Sequence, residues 1–366
     1  MKMKQLVMLV MLVCLLGGSG EVLADSASSE LEPEAKKAME SADPFMGDWQ
    51  GRWTLDDGSD SGSLVAQVLA LGKEGCRANF HYNFEYEWPP LFVLSGKGRD
   101  SSVPLNGRAE FEGKVLEIQS SIKAGRFTGK FKGTDDDANI SGTFTMEKTI
   151  RLSPTLGAKP PEGAIVLFDG KEASLKKNWQ MSGPRPGVEE IQWRVKDGAM
   201  EVTPRTSSII TKAKFGDVKL HLEFRTPFMP DARGQGRGNS GVYLQGRYEV
   251  QILDSYGLEG KDNECGGIYT VAKPLVNMCA PPTQWQTYDI TFRAPRFDAN
   301  GEKIDLATLR VLHNGVTIHD GVRVGRPTTA APDKTEKGPG GIYLQDHGNA
   351  VQFRNIWLVE LPAANP

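Results

Sequence analysis

From Phe45 onward, short runs that alternate apolar and polar residues recur between breaks rich in Gly, Asp, Asn and Pro. No stretch carries the three-and-four-residue apolar spacing that a long helix needs. This punctuation constrains the chain more than any other feature, because it leaves only the pairing of many short strands. Leu64–Leu71, Val115–Ser121, Arg126–Lys132 and Asn139–Glu147 are such runs, and Phe127, Gly129 and Phe131 set against Thr128 and Lys130 show the period of two. A second series includes Val218–Arg225, Ser240–Leu244, Tyr248–Leu253, Gln286–Arg293, Gly341–Gln345 and Val351–Leu361. Within it, His313-Asn314-Gly315 holds the Asn-Gly pair that suits a type I′ hairpin turn. The 41 Gly and 22 Pro fit a chain of strands and turns. The expectation is an all-β protein: a small antiparallel barrel or sandwich over 45–152, then two antiparallel sheets packed face to face over 164–362. Between them, residues 153–163 (SPTLGAKPPEG) read as a linker, since Pro154, Pro160 and Pro161 cannot join a ladder.

The first residues read as a secretory signal over 1–24. Lys2 and Lys4 precede the apolar run Leu6–Leu16, glycines at 17, 18 and 20 break it, and Val22-Leu23-Ala24 offers a cleavage site before Asp25. The run is about half of the ~20 residues a spanning helix needs. Cys14 follows Val13, not the small residue a lipid-attachment site has, and no later segment is apolar enough to span a bilayer. Residues 25–44 form a polar spacer with one short helix around Glu34–Glu40. The mature chain is therefore expected outside the cytoplasm, periplasmic or extracellular. Losing Lys2, Lys4 and Glu21 with the leader moves the net charge from −3 to −4. No basic patch is present to neutralise phosphates, so a nucleic-acid partner is not indicated. An oxidising compartment permits a disulfide, and Cys265 and Cys279, which flank one loop, are expected to pair, for a stabilisation of about 3 kcal/mol. Cys76 is left over and is expected to be buried. Three Cys show no zinc-site spacing.

The second series of strands carries a set of motifs in order. They are Phe168-Asp169-Gly170 with Trp179 downstream, Asn239-Ser240-Gly241-Val242-Tyr243-Leu244, and Tyr248-Glu249-Val250-Gln251-Ile252-Leu253-Asp254. Gly267-Ile268-Tyr269, Trp285-Gln286-Thr287-Tyr288-Asp289-Ile290 and His313-Asn314-Gly315 follow. Leu344-Gln345-Asp346-His347-Gly348 and Phe353-Arg354-Asn355-Ile356 end the set. Together, over about 163–361, they resemble the 3-keto-disaccharide hydrolase family, long known only as a domain of unknown function. The resemblance implies a concanavalin-like lectin/glucanase jelly roll and a carbohydrate substrate oxidised to a ketone at carbon 3. Residues 45–152 lie outside it.

In Tyr248–Leu253, alternation puts Glu249 and Gln251 on one face and Val250 and Ile252 on the other, as in a strand with one wet face. Asp254 closes the strand. Glu-x-Gln-x-x-Asp is close in shape to the Glu-x-Asp-x-x-Glu line of jelly-roll glucanases. The middle residue is an amide here, which tells against a two-carboxylate retaining mechanism. Gln345 and His347 share a face if their strand runs that far, and Asp346 and Gly348 suggest a turn that leaves His347 at a strand end. A His placed so suits acid–base work, because its pKa lies near neutrality. Arg354 alternates with Phe353 and Asn355 and is read as a partner of Glu249 or of substrate oxygens. Tyr243, Tyr269 and Trp285 are candidate platforms for sugar C–H faces. Asn239 follows the Gly-rich stretch Arg233–Gly238, read as a loop over the cleft from which Arg237 could reach the ligand.

No Gly-x-Ser-x-Gly elbow or Cys–His nucleophile pair is present. No cofactor is called for; Asp254, Asp262, Glu264 and loop carbonyls are oxygen ligands of the kind Ca²⁺ takes, at no fixed spacing. A 3-ketone acidifies the proton on carbon 2, so a base can remove it, the carbon 1 oxygen leaves, and water adds back. The expected catalytic residues are Glu249 and His347, with Gln251, Arg354 or Tyr269 polarising the ketone. The alternatives are a non-catalytic carbohydrate-binding module and an ordinary glycosidase acting on unoxidised glycans.

Overall fold

The computed structural model describes residues 43–85, 88–98, 101–111, 113–134, 139–183, 188 and 190–362. The expected leader, Cys14 and the spacer up to residue 42 lie outside the described residues. The protein is all-β, as the strand punctuation requires. Among the described residues no helix is long and apolar enough to cross a membrane.

Nine strands between Gly47 and Thr149 form one antiparallel sheet. Its order is Phe92–Gly96, Cys76–His81, Ser61–Ala70, Gly47–Leu55, Ser141–Thr149, Arg126–Gly133, Lys114–Lys123 and Ser102–Pro104, with Gly107–Phe111 also paired to Lys114–Lys123. A bridge between Ser95 and Asn106 brings the two ends together, so the sheet curls into a barrel. Its interior is aromatic: Phe127 packs edge-on against Trp49 at 5.9 Å and Phe144 at 5.5 Å. The strand Ser61–Ala70 is buried on both faces. Ala66 and Val68 face the barrel core, while Leu69 joins the core of the following sandwich.

The second half is a sandwich. Its larger sheet has the order Arg194–Lys196, Ala199–Glu201, Gln352–Glu360, Val218–Arg225, Gln286–Arg293, Ala307–His313 and Val316–Val324, with Ile165–Phe168 on Gln352–Glu360. Its smaller sheet runs Trp179–Met181, Ile209–Thr211, Tyr343–Leu344, Ser240–Leu244 and Tyr248–Ile252. Leu220, Leu222, Phe224, Ile290 and Phe292 from the larger sheet share one core with Val242, Leu244, Val250 and Ile252 from the smaller. Burying each such side chain contributes about 1.5–3 kcal/mol. Asn314 and Gly315 both take positive φ (51° and 80°), the type I′ geometry their sequence predicts. A short helix, Glu172–Asn178, buries Leu175 and leads into Trp179.

One expectation is corrected. Cys265 and Cys279 are free thiols, as is Cys76, and all three are buried. Proximity in sequence did not produce bonding geometry: the Cys265 sulfur instead lies 3.2 Å from the Tyr288 hydroxyl, and Cys279 accommodates itself against the Leu253 and Ala280 carbonyls. The Pro-rich segment 153–163 is hydrogen-bonded to the sandwich. Thr155 Oγ1 donates to Asp289 Oδ2 (2.7 Å), Gly157 N–H donates to Glu223 Oε1 (2.6 Å), and the Ala158 carbonyl accepts from Asn355 Nδ2 and Trp357 Nε1. The segment is bound along the outer face of the larger sheet.

Candidate functional site

The smaller sheet carries its polar residues on the face turned from the core. Strand register places Gln180, Ile210, Tyr343, Tyr243 and Glu249 in one row across all five strands. The next row holds Gly241 opposite Gln251, with Gln345 N–H donating to the Gly241 carbonyl. Alternation thus sorts Glu249 and Gln251 from Val250 and Ile252 as the sequence predicts.

The face is not wet. Glu249 and Gln251 are each only 1% exposed. The reason lies outside the strand. Gln235, from the turn Gly234–Gly236, accepts from Gln251 Nε2 (3.1 Å) and from Asn239 Nδ2 (3.0 Å), and donates to the Asn263 carbonyl (2.7 Å). Tyr269 N–H donates to the Glu249 carbonyl, and Thr328 Oγ1 accepts from Glu249 N–H. Gln235 therefore lies against the polar face, and the loops with Tyr269 and Thr328 pair along the edge of the Glu249 strand.

Burial raises the Glu249 pKa to about 7, against the opposing pull of a hydrogen bond from Tyr243. Tyr243 itself is fully buried, and desolvation together with the Glu249 charge holds its hydroxyl protonated as a donor. Gln345 Nε2 donates to the Tyr243 oxygen at 2.9 Å, so an amide, a phenol and a carboxyl form one chain. Tyr343 stands edge-on to Tyr243, ring centres 4.8 Å apart. The second carboxyl oxygen of Glu249 and Oδ1 of Asn239 are buried without a hydrogen-bond partner among the described residues. Gly241 makes room for the carboxyl: a Cβ there would fall 2.5 Å from Glu249 Oε1 and 3.0 Å from the Tyr243 ring.

His347 sits where the strand ends, as expected. Gly348 turns the chain with φ 86°, its N–H donating to Asp346 Oδ1. His347 is exposed and lines an open cleft of about 450 Å³ with Ser182, Arg205, Ser207, Ser208 and Asp346. No hydrogen bond among the described residues joins it to Glu249.

Other candidates separate from this face. Arg354 and Trp285 belong to the larger sheet, on its outer side. Arg354 Nε donates to Glu223 Oε2 (2.6 Å), not to Glu249, and its guanidinium stacks on Trp285 at 4.2 Å, with Arg225 also on that ring at 4.7 Å. Phe353 does face the core, so alternation was right for Arg354, but it could not tell which of the two outer faces the strand presents. Arg237 is buried, with Nη2 lacking a hydrogen-bond partner among the described residues. It forms a buried ion pair with Asp254 (2.6 Å), which removes Asp254 from the Glu249 row as well. Glu264 Oε2 accepts from Gly260 and Lys261 N–H, and among the described residues no His, Cys, Asp and Glu group is arranged to hold a metal ion. Tyr243 is too buried to be a platform, whereas Tyr269 is half-buried. Gln235, Tyr343 and Gly241 were missed as site residues. Gly241 alone left a signal, as a glycine inside a strand.

Two antiparallel sheets in face-to-face contact, with a polar row on the outer side of the smaller, define a concanavalin-like β-sandwich. Residues 163–359 match the 3-keto-alpha-glucoside-1,2-lyase-like domain, and the chain belongs to that family. Two solved structures from Parabacteroides distasonis, each described as a candidate glycosyl hydrolase, are similar to it. One is 37% identical, covering 55% of this chain and 85% of the other with a TM-score of 0.49. The second is 20% identical, covering 55% and 95% with a TM-score of 0.42. No curated protein matches the chain.

Proposed function

We propose that the protein is a glycan-processing enzyme that cleaves 3-keto-glycosides by elimination followed by hydration. The observation that carries this reading is Glu249: a buried carboxyl with its pKa near 7, one oxygen held by Tyr243 and the other unpartnered. Such a group can take and return a proton at neutral pH. Membership of a 3-keto-glucoside lyase-like family supports the same chemistry. The middle position of the Glu249–Asp254 line is the amide Gln251, which tells against an ordinary two-carboxylate glycosidase.

In this mechanism Glu249 accepts the proton from carbon 2 of the sugar. The C–H electron pair becomes an enolate whose charge resides on the ketone oxygen, stabilised by donors such as Gln251 or Tyr269. The enolate then re-forms the ketone, a carbon 1–carbon 2 double bond appears, and the carbon 1 oxygen departs. His347, exposed in the cleft beyond the strand end, protonates the leaving oxygen. Water adds to carbon 1 and a proton returns to carbon 2, so the net reaction is hydrolysis.

Glu249→Gln and His347→Ala, made singly, are each expected to slow turnover of a 3-keto-disaccharide at least about a hundredfold, with the unoxidised sugar left uncleaved by the wild type. Near-normal turnover in both variants with folding intact, or equal cleavage of the unoxidised sugar, rejects the assignment. Binding of either sugar with no product would instead identify a carbohydrate-binding module.

A further inference from the structure

The barrel over 47–149 has no part in the proposed chemistry, yet it touches the loop that covers it. The turn Gly72–Glu74 follows the strand Ser61–Ala70. Lys73 N–H donates to Asp231 Oδ1 at 3.3 Å. Arg233 Nη2 donates to the Leu71 carbonyl at 2.9 Å and lies 3.3 Å from Glu74 Oε1. The other arm of the same guanidinium donates to the Pro230 and Ala232 carbonyls at 2.6 and 2.8 Å, fixing the turn that precedes Gly234. Gly72 has φ 58°, and a Cβ on it would fall 2.1 Å from Asp231 Oδ1. The barrel and the loop thus fit without space for a methyl group.

Two residues past Arg233, Gln235 bridges Gln251 and Asn239. The far side of the loop is held from the sandwich, where Asp254 N–H donates to the Arg237 carbonyl and Gly238 packs against Thr226 and Asp254. Its near side has the barrel turn. Resting on the function proposed above, we propose that the barrel is the anchor that sets the position of Gln235: Gly72, Asp231 and Arg233 are positioning residues that act on the site through the Gly234–Gly236 turn. This gives the N-terminal sheet a role in the reaction without any contact with substrate.

The test uses the full chain with Gly72→Ala, Arg233→Ala, Gln235→Ala and Gly72→Ala/Gln235→Ala. Gly72→Ala and Arg233→Ala are each expected to lower kcat/KM on a 3-keto-disaccharide about tenfold, the scale of a small misplacement at a site. Because Gly72 acts through Gln235, the double variant should be no slower than Gln235→Ala alone. Amide hydrogen exchange over residues 232–238 should quicken in Gly72→Ala and Arg233→Ala while exchange in the barrel strands is unchanged. Multiplicative losses in the double variant, or unchanged exchange over 232–238 in both single variants, overturn the proposal. The exchange measurement needs no substrate, so it stands even if wild-type protein fails to cleave a 3-keto-disaccharide and the functional reading falls.

Discussion

Gly241 stands opposite Gln251 with its α-carbon beneath the Glu249 carboxyl, so that a methyl group there would sit 2.5 Å from Oε1. Its backbone is not left-handed, so alanine can adopt the conformation, and the carboxyl has to yield most, with the Tyr243 ring giving by a few tenths of an ångström. Gly241→Ala should therefore fold but displace Glu249. The expected result is a loss of about a hundredfold in kcat/KM with a small change in Tm. Retained activity would mean that the carboxyl position is not critical.

Glu249 also links the site to stability. Its folded pKa near 7 exceeds the ordinary 4.5, because burial favours the neutral acid. A raised folded pKa gives stability that is fully present below pH 4.5 and is lost as pH rises through 7, amounting to roughly 3 kcal/mol. Glu249→Gln has no such loss. In urea unfolding it should be more stable than wild type at pH 8 and indistinguishable near pH 4. Parallel pH profiles for the two proteins would contradict the raised pKa.

Tyr243→Phe tests the chain from Gln345 to Glu249. The Tyr243 hydrogen bond lowers the Glu249 pKa against the larger effect of burial. Without it the carboxyl should ionise at higher pH, and the acid limb of kcat against pH should move upward. A limb that stays in place or moves down would show that Glu249 is not the titrating base.

On the opposite outer face, Glu223 is fully buried. Burial alone would raise its pKa, but His221, Arg354 and Asn355 hold it down to about 2. Its contribution is present above pH 4.5 and lost as pH falls toward 2. Glu223→Ala removes the shared acceptor of the Gly157 N–H and Asn355 Nδ2, so it should cost about 1–3 kcal/mol at pH 7 in chemical denaturation. Arg354→Ala should lower stability while leaving kcat/KM within about twofold, since surface changes away from a site are usually small. A large fall in kcat/KM from Arg354→Ala would return that residue to the site.

The free thiols give a direct check on the cysteine correction. Intact mass of the oxidised, purified protein should be the same before and after reductant, and native labelling of Cys265 and Cys279 should be slow because both are buried. A two-dalton gain on reduction would restore the disulfide.

The sequence by itself determined what repeats locally. Period-two alternation required strands, the Asn314-Gly315 pair required its hairpin, and the same alternation sorted Glu249 and Gln251 from Val250 and Ile252. A local pattern says only that a side chain faces away from the core. It cannot say which sheet's outer face receives it, or what covers that face. Tertiary structure decided both. It set Arg354 on the larger sheet beside Glu223 and Trp285, and tied Arg237 to Asp254. It also brought Gln235, distant along the chain, against Gln251 on a face that alternation alone would leave in water. Desolvation by burial, rather than the identity of Glu249, is what moves its pKa to about 7.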